Sequence, residues 1–111
     1  MSNKTFLLLE VVENTIEKMT TYSSFEDILN DALAYADQYV EEQYSEGEID
    51  KWNDEMSSFR NSRPDIPYEY QNNSGELGFS YDPADNEFNF WSREKDVVDI
   101  YIKNIKNIKV K

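Results

Sequence analysis

The chain has 111 residues, with 11 Lys and Arg set against 23 Asp and Glu, a formal net charge of −12, and neither His nor Cys. That length fits one ordinary domain, which buries roughly two-thirds of the surface its unfolded chain exposes and so folds without staples. Absent cysteines exclude disulfides and zinc–thiolate sites, absent histidines remove the usual general base and the commonest metal ligand, and the acidic surplus disfavours DNA, RNA and anionic membranes as direct partners.

High charge with low hydropathy is also the signature of disorder. Against it stand 14% aromatic residues, only three Gly and three Pro, and clear apolar periodicity, so a folded chain is expected. Near the N-terminus Phe6-Leu7-Leu8-Leu9 is followed at once by Glu10, which is no signal peptide. No run approaches the ~20 apolar residues of a membrane span. With the missing cysteines, this sets the expectation of a cytoplasmic protein. A first helix is expected from about Lys4 to Thr20, with Leu8/Leu9, Val12, Ile16 and Met19 on one stripe. Ser23 and Glu26 have the spacing of a capping box. They open a second helix that runs to about Tyr44, where Phe25, Ile28, Leu29, Ala32, Leu33, Ala36, Tyr39 and Val40 keep helical period. Gly47 reads as a stop signal. A third helix follows from about Glu48 to Arg60, with Ile49, Trp52, Met56 and Phe59 inward, and ends before Pro64.

Beyond Pro64 the period changes to two. Tyr68-Glu69-Tyr70 reads as a short edge strand. Leu77, Phe79 and Tyr81, then Phe88 and Phe90, read as a hairpin around the Asp82-Pro83-Ala84-Asp85-Asn86 turn. Val97 to Ile102 is a β-branched strand, although Ile102, Ile105 and Ile108 leave a helical ending open. The expected fold is a single α+β domain with about three N-terminal helices packed on an antiparallel β-meander of three to four strands. Residues 1–62 form its helical half, and 63–111 the β half with a basic tail.

Nothing in the chain names a reaction. Glycine-rich phosphate loops are absent, and no Ser or Thr has a His partner. Carboxylate pairs such as Glu41/Glu42 and Glu26/Asp27 arise readily among 23 acids and read as solvated helix faces rather than acid–base pairs. Asp82, Asp85 and Glu87 lack the spacing of a calcium loop, and turn chemistry explains them. No catalytic residue, cofactor or metal is assigned, and a non-enzymatic protein is expected.

Charge placement is more informative. Residues 1–50 hold twelve acids and two bases, whereas the last twelve residues hold four lysines and no acid. No Lys or Arg lies between Lys18 and Lys51. On the second helix Glu26, Asp27, Asp31, Asp37, Glu41 and Glu42 fall within an arc of roughly 160°, opposite the apolar stripe. Asp27/Asp31 and Asp37/Glu41 are like-charge i, i+4 pairs, each destabilising by ~0.2–0.5 kcal/mol. Six carboxylates over about 24 Å of helix give one charge per ~4 Å, close to the ~3.4 Å spacing of phosphates along a DNA strand. Glu46, Glu48 and Asp50 continue the run, and Tyr35 and Tyr44 lie at its margins as aromatic anchors.

A small, His- and Cys-free, strongly acidic chain with such a helix, continued through Glu46-Gly47-Glu48-Ile49-Asp50, resembles the phage-type DNA-mimic inhibitors, the anti-restriction and anti-CRISPR proteins. The resemblance covers size, charge surplus and the acidic helix, shares no motif, and carries no residue assignments. It implies an inhibitor that occupies the groove of a nucleic-acid-binding protein or defence nuclease. Lys103, Lys106, Lys109 and Lys111 depart from a uniformly acidic mimic. Two other readings use the same surface or its neighbours. One is an immunity protein or antitoxin against a cationic nuclease toxin. The other is a plain interaction module centred on Trp52, Tyr68, Tyr70 or Trp91, with Trp52 expected in the core and Trp91 the better exposed contact.

Overall fold

The computed structural model describes residues 5–94 and 96–104. Within them the chain opens with two strands, β1 (Phe6–Val12) and β2 (Thr15–Tyr22), and not with a helix. The apolar positions between Leu8 and Met19 satisfy a helical stripe, yet seven of residues 5–21 are β-branched, and such side chains favour a pleated strand over a helix. Glu13 and Asn14 form the two-residue connection between the paired Val12 and Thr15. Both adopt positive φ, 50° and 66°, the signature of a type I′ hairpin turn, and Asn is among the residues that tolerate it best. The Glu13 amide donates to the Val97 carbonyl at 2.8 Å and its carboxylate accepts from the Val97 amide at 2.9 Å, which ties the turn to the last strand.

Two helices follow, α1 (Phe25–Gln43) and α2 (Glu46–Asn61). The N-cap of α1 is Ser24, whose hydroxyl accepts from the Asp27 amide, and not Ser23 paired with Glu26. Gly47 does not stop α1 but lies in the first turn of α2, the break falling at Tyr44-Ser45. The remaining strands are β3 (Tyr68–Gln71), β4 (Leu77–Asp82), β5 (Glu87–Ser92) and β6 (Val98–Asn104). The structure thus has two helices and one six-stranded sheet in the order β2-β1-β6-β5-β4-β3, with every neighbouring pair antiparallel, in place of about three helices on three to four strands. The hairpin at the start supplies the two additional strands. Its β1 closes on β6, and the helices carry the chain across to the far edge, from which β3 to β6 walk back. The helical ending considered at Ile105 and Ile108 lies outside the described residues, as do Lys106, Lys109 and Lys111.

Both helices cover the same sheet face. Phe6 and Leu8, Tyr68 and Tyr70, Leu77, Phe79 and Tyr81, Phe88 and Phe90, and Val98, Ile100 and Ile102 point towards them, as the register requires. Trp52 of α2 is fully buried, its ring edge-on to Phe79 and Phe90 at 5.7 and 5.5 Å, and Phe59 packs on Phe79 and Tyr81 at 5.1 Å each. Each such aromatic is worth ~3–5 kcal/mol against Ala. Phe25 at the start of α1 meets Phe6 at 5.6 Å, and the Tyr44 hydroxyl at its end lies 2.6 Å from the buried Ser92 hydroxyl. The two contacts lay α1 along the strands from one end of the sheet to the other. Gly78 lets the sheet close behind this core, since a Cβ there would stand 2.3 Å from the Tyr70 carbonyl oxygen and 2.6 Å from the Trp91 ring.

Candidate acidic interface

The helical layer, residues 23–63, carries eleven acids and three bases. Helical geometry sorts the acids of α1 into three groups. With Ile28, Leu29, Ala32, Leu33, Ala36 and Val40 inward, Asp27 and Glu41 project straight out and are exposed. Asp31 and Glu42 are exposed on the side that overlooks β1 and β2. The Tyr22 hydroxyl donates to Asp31 at 2.5 Å, and Gln38 donates to Glu42 at 2.9 Å. Glu26 and Asp37 turn towards α2 and its following loop.

That third group is the main departure from the sequence expectation. Asp37 is half-buried, accepts from the buried Trp52 indole at 2.8 Å through one oxygen and pairs with Arg60 at 2.8 Å through the other. Glu26 takes both terminal nitrogens of Arg63 at 3.1 Å, while the Arg63 guanidinium lies over the rings of Phe59 and Tyr81 at 5.4 and 5.8 Å. Two of the six α1 carboxylates are therefore neutralised within the protein and clamp the helices together. The four that remain free of cations, Asp27, Asp31, Glu41 and Glu42, give one charge per ~6 Å of helix, sparser than a phosphate strand. Glu46 and Asp50 extend this row from α2 as exposed carboxylates without a partner among the described residues. Glu48 does not, because it is half-buried towards Tyr70 with one carboxylate oxygen enclosed and unbonded.

The two flanking tyrosines differ. Tyr35 is half-buried and stacks on Tyr39 at 6.5 Å, and with Gln38 and Glu42 these rings line a cleft of about 150 Å³ on the β2 side of α1. Burial, then the carboxylate of Glu10, pushes the Tyr35 phenol pKa up. Tyr44 packs against the core with its hydroxyl committed to Ser92, so it is no free anchor. Among the other aromatics, Trp52 is core as expected, and Trp91 is half-buried on the opposite sheet face with its indole donating to the Gly75 carbonyl. Tyr68 donates to Glu55, which raises its pKa to about 12.

The acids of the β4–β5 turn do come together, with Asp82, Asp85 and Glu87 oxygens within 4.8 Å of one another. Asp82 caps its own turn by accepting from the Ala84 amide at 3.0 Å, and Glu87 pairs with Lys103 at 3.2 Å. Both roles are structural. Among the described residues no helix is long and apolar enough to cross a membrane. An expected helix from about Lys4 to Thr20 conceals one surface altogether, the sheet face opposite the helices that β1 and β2 help to build. No protein-family model, no curated protein and no solved structure matches this chain.

Proposed function

We propose that the protein is a non-enzymatic inhibitor that occupies the nucleic-acid groove of a basic DNA- or RNA-handling protein, such as a restriction or CRISPR nuclease, by presenting carboxylates where phosphates would lie. The observation that supports this most directly is the sorting of charge on the helical layer. Of its three bases, Arg60 and Arg63 turn inward onto Asp37 and Glu26 and the exposed Lys51 lines a cleft with Asp54 and Glu55, while Asp27, Asp31, Glu41, Glu42, Glu46 and Asp50 stay exposed without an ion pair among the described residues. A solvated helix mixes signs at i, i+4 and gains ~0.2–0.5 kcal/mol per pair, a gain this surface forgoes. An unscreened acidic face of this kind accelerates encounter with a basic groove and makes binding fall with salt.

The test is a pull-down from bacterial lysate at low salt, with stepwise salt elution and identification of the bound proteins. The expected result is a basic nucleic-acid enzyme that is released by salt and whose nucleic-acid binding the protein competes away. An acidic partner, or one that resists salt, refutes the reading. A nuclease toxin as the recovered partner replaces it with the immunity-protein reading.

A further inference from the structure

The helices cover one face of the sheet, and no described element packs on the other. The register places three rows of side chains there. Met19, Leu9 and Tyr101 run into Asn89, Ser80 and Glu69; Ile16 and Val11 run into Asp99 and Trp91; Thr21 and Leu7 run into Lys103, Glu87 and Asp82. The part built by β2 and β1, with Tyr101 of β6, is therefore largely apolar, and the rest, from Asp99 and Lys103 of β6 across to β3, is mostly polar apart from Trp91. Ile16 and Met19 are 58% and 65% exposed, two of the four exposed large hydrophobic side chains among the described residues, the others being Ile66 and Val97. A contiguous apolar patch with a polar margin is the anatomy of an interface core and its rim.

We propose that this open face is the seat of a second copy of the chain, packed sheet against sheet. Charge selects the occupant. On the central strands the ions of the face are paired in place, Arg93 on Asp99 at 2.7 Å and Lys103 on Glu87 at 3.2 Å, so two copies meet there without repulsion, while the carboxylates without a cation, Glu69 and Asp82, stand at the β3–β4 margin. The helical layers, which hold eleven acids each, lie on the two outer sides of such a pair, with both sheets between them. Area agrees. Six strands at ~4.8 Å spacing and six or seven residues at ~3.4 Å make a face of roughly 600 Å² in projection, and corrugation by side chains brings it near the ~800 Å² per partner of a standard interface. The edge is blunted instead. The β1–β2 register shifts between Glu10 and Val11, leaving Glu17 of β2 without an opposite residue, and a bulged, twisted edge carrying Lys18 disfavours strand-to-strand pairing.

Light scattering on the size-separated protein reads the outcome. The expected mass is twice 13.1 kDa at micromolar concentration. The double variant Ile16→Lys/Met19→Lys, placed at exposed positions, should keep the circular dichroism of the parent and weaken self-association at least ~tenfold. Tyr101→Lys, two strands in from the β2 edge, should do the same, with Tyr101→Ser in its place if the lysine variant does not fold. Raising salt from about 0.05 to 0.5 M should leave the dimer unchanged or tighten it, since screening relieves the like-charged layers. A parent that is monomeric at ~200 μM overturns the proposal, whatever else then covers the face. So does a dimer weakened less than ~tenfold by the Ile16/Met19 pair, or one that Tyr101 variants spare, which would be edge pairing.

Discussion

Replacing Asp37 with Ala takes away the acceptor of a buried indole and the counter-charge of Arg60 in a single step. The Trp52 ring is fully buried and its Nε1 donates to Asp37 at 2.8 Å, so without the carboxylate a buried donor is left unsatisfied. A hydrogen bond to a charged acceptor is worth ~1.5–3 kcal/mol. The Arg60 pair, with side chains 41% and 31% exposed, adds only a few tenths after solvent screening, within the ~0.2–1 kcal/mol of exposed pairs. The total loss for Asp37→Ala is about 2 kcal/mol, and a domain this size then melts ~8–16 °C lower. Asp37→Asn keeps an acceptor for the indole and should lose under half as much. Urea unfolding followed by Trp fluorescence measures both, with the slope against denaturant checked for constancy. If Asp37→Ala costs less than ~0.5 kcal/mol, the range of an ordinary surface change, Asp37 is a free surface acid and its removal from the interface is wrong. If it behaves as argued, Asp37→Asn should also leave partner affinity nearly untouched, unlike equivalent changes at Asp27 or Glu41.

The triple change Asp27→Lys/Asp31→Lys/Glu41→Lys should preserve the fold, as seen by circular dichroism, and abolish binding to the recovered partner. Unchanged affinity and salt slope in that variant would end the acidic-face reading. Gly78→Ala should destabilise by more than ~2 kcal/mol by thermal melting, because its Cβ would meet backbone at Tyr70 as well as the Trp91 ring. Asn14→Ala should cost ~1 kcal/mol in the same assay, through a positive φ of 66° that Ala disfavours. The phenols of Tyr22 and Tyr68 are both raised to about 12, first by hydrogen bonds to Asp31 and Glu55 and then by burial. A folded-state pKa above the unfolded value of ~10 stabilises fully below pH ~10, and that stability is lost as pH rises through 12. Phenolate absorbance should therefore show a late-titrating class that shrinks in Tyr22→Phe and Tyr68→Phe; a titration finished by pH ~10.5 would contradict both contacts.

How far the sequence was legible depends on how many periods each segment satisfied. The α1 stripe from Phe25 to Val40 fits one period through most of the nineteen-residue helix, which lies where the pattern put it. Residues 6–22 satisfy two. Leu8, Leu9, Val12, Ile16 and Met19 make a helical stripe, whereas as strands both faces of β1 are apolar, which erases the alternation that announces a half-buried strand. The decisive signals were the β-branched content and Glu13-Asn14, a weaker turn dipeptide than Asn-Gly. Gly47 misled for a different reason. No positive φ is needed there and a Cβ would meet nothing within 4 Å, so it reports tolerance and not a stop. At the candidate interface the run of one sign was readable, but which acids keep their charge free was not. Asp37 and Glu26 are answered by arginines 23 and 37 residues away, a pairing that exists only once α2 has packed against α1.

The two surfaces have opposite physical characters, and that follows from how the fold distributes one charge surplus. A layer of helices on one sheet face lets the carboxylates collect where water solvates them, while the opposite face keeps the ions of its central strands as the closed pairs Arg93–Asp99 and Lys103–Glu87, next to Leu9, Ile16, Met19 and Tyr101. Contacts made by the first surface weaken with salt, and contacts made by the second hold or strengthen. A salt series that follows both self-association and partner capture therefore separates them in one protein, without a mutation. The two also reinforce each other. A pair of chains joined through the sheet displays its carboxylates on two outward faces, so a partner with two basic grooves is held at an effective concentration that neither face supplies alone. Capture by the parent should then exceed capture by the Ile16→Lys/Met19→Lys monomer for an immobilised partner and equal it for a partner free in solution. Equal capture in both formats would mean that the acidic face works singly.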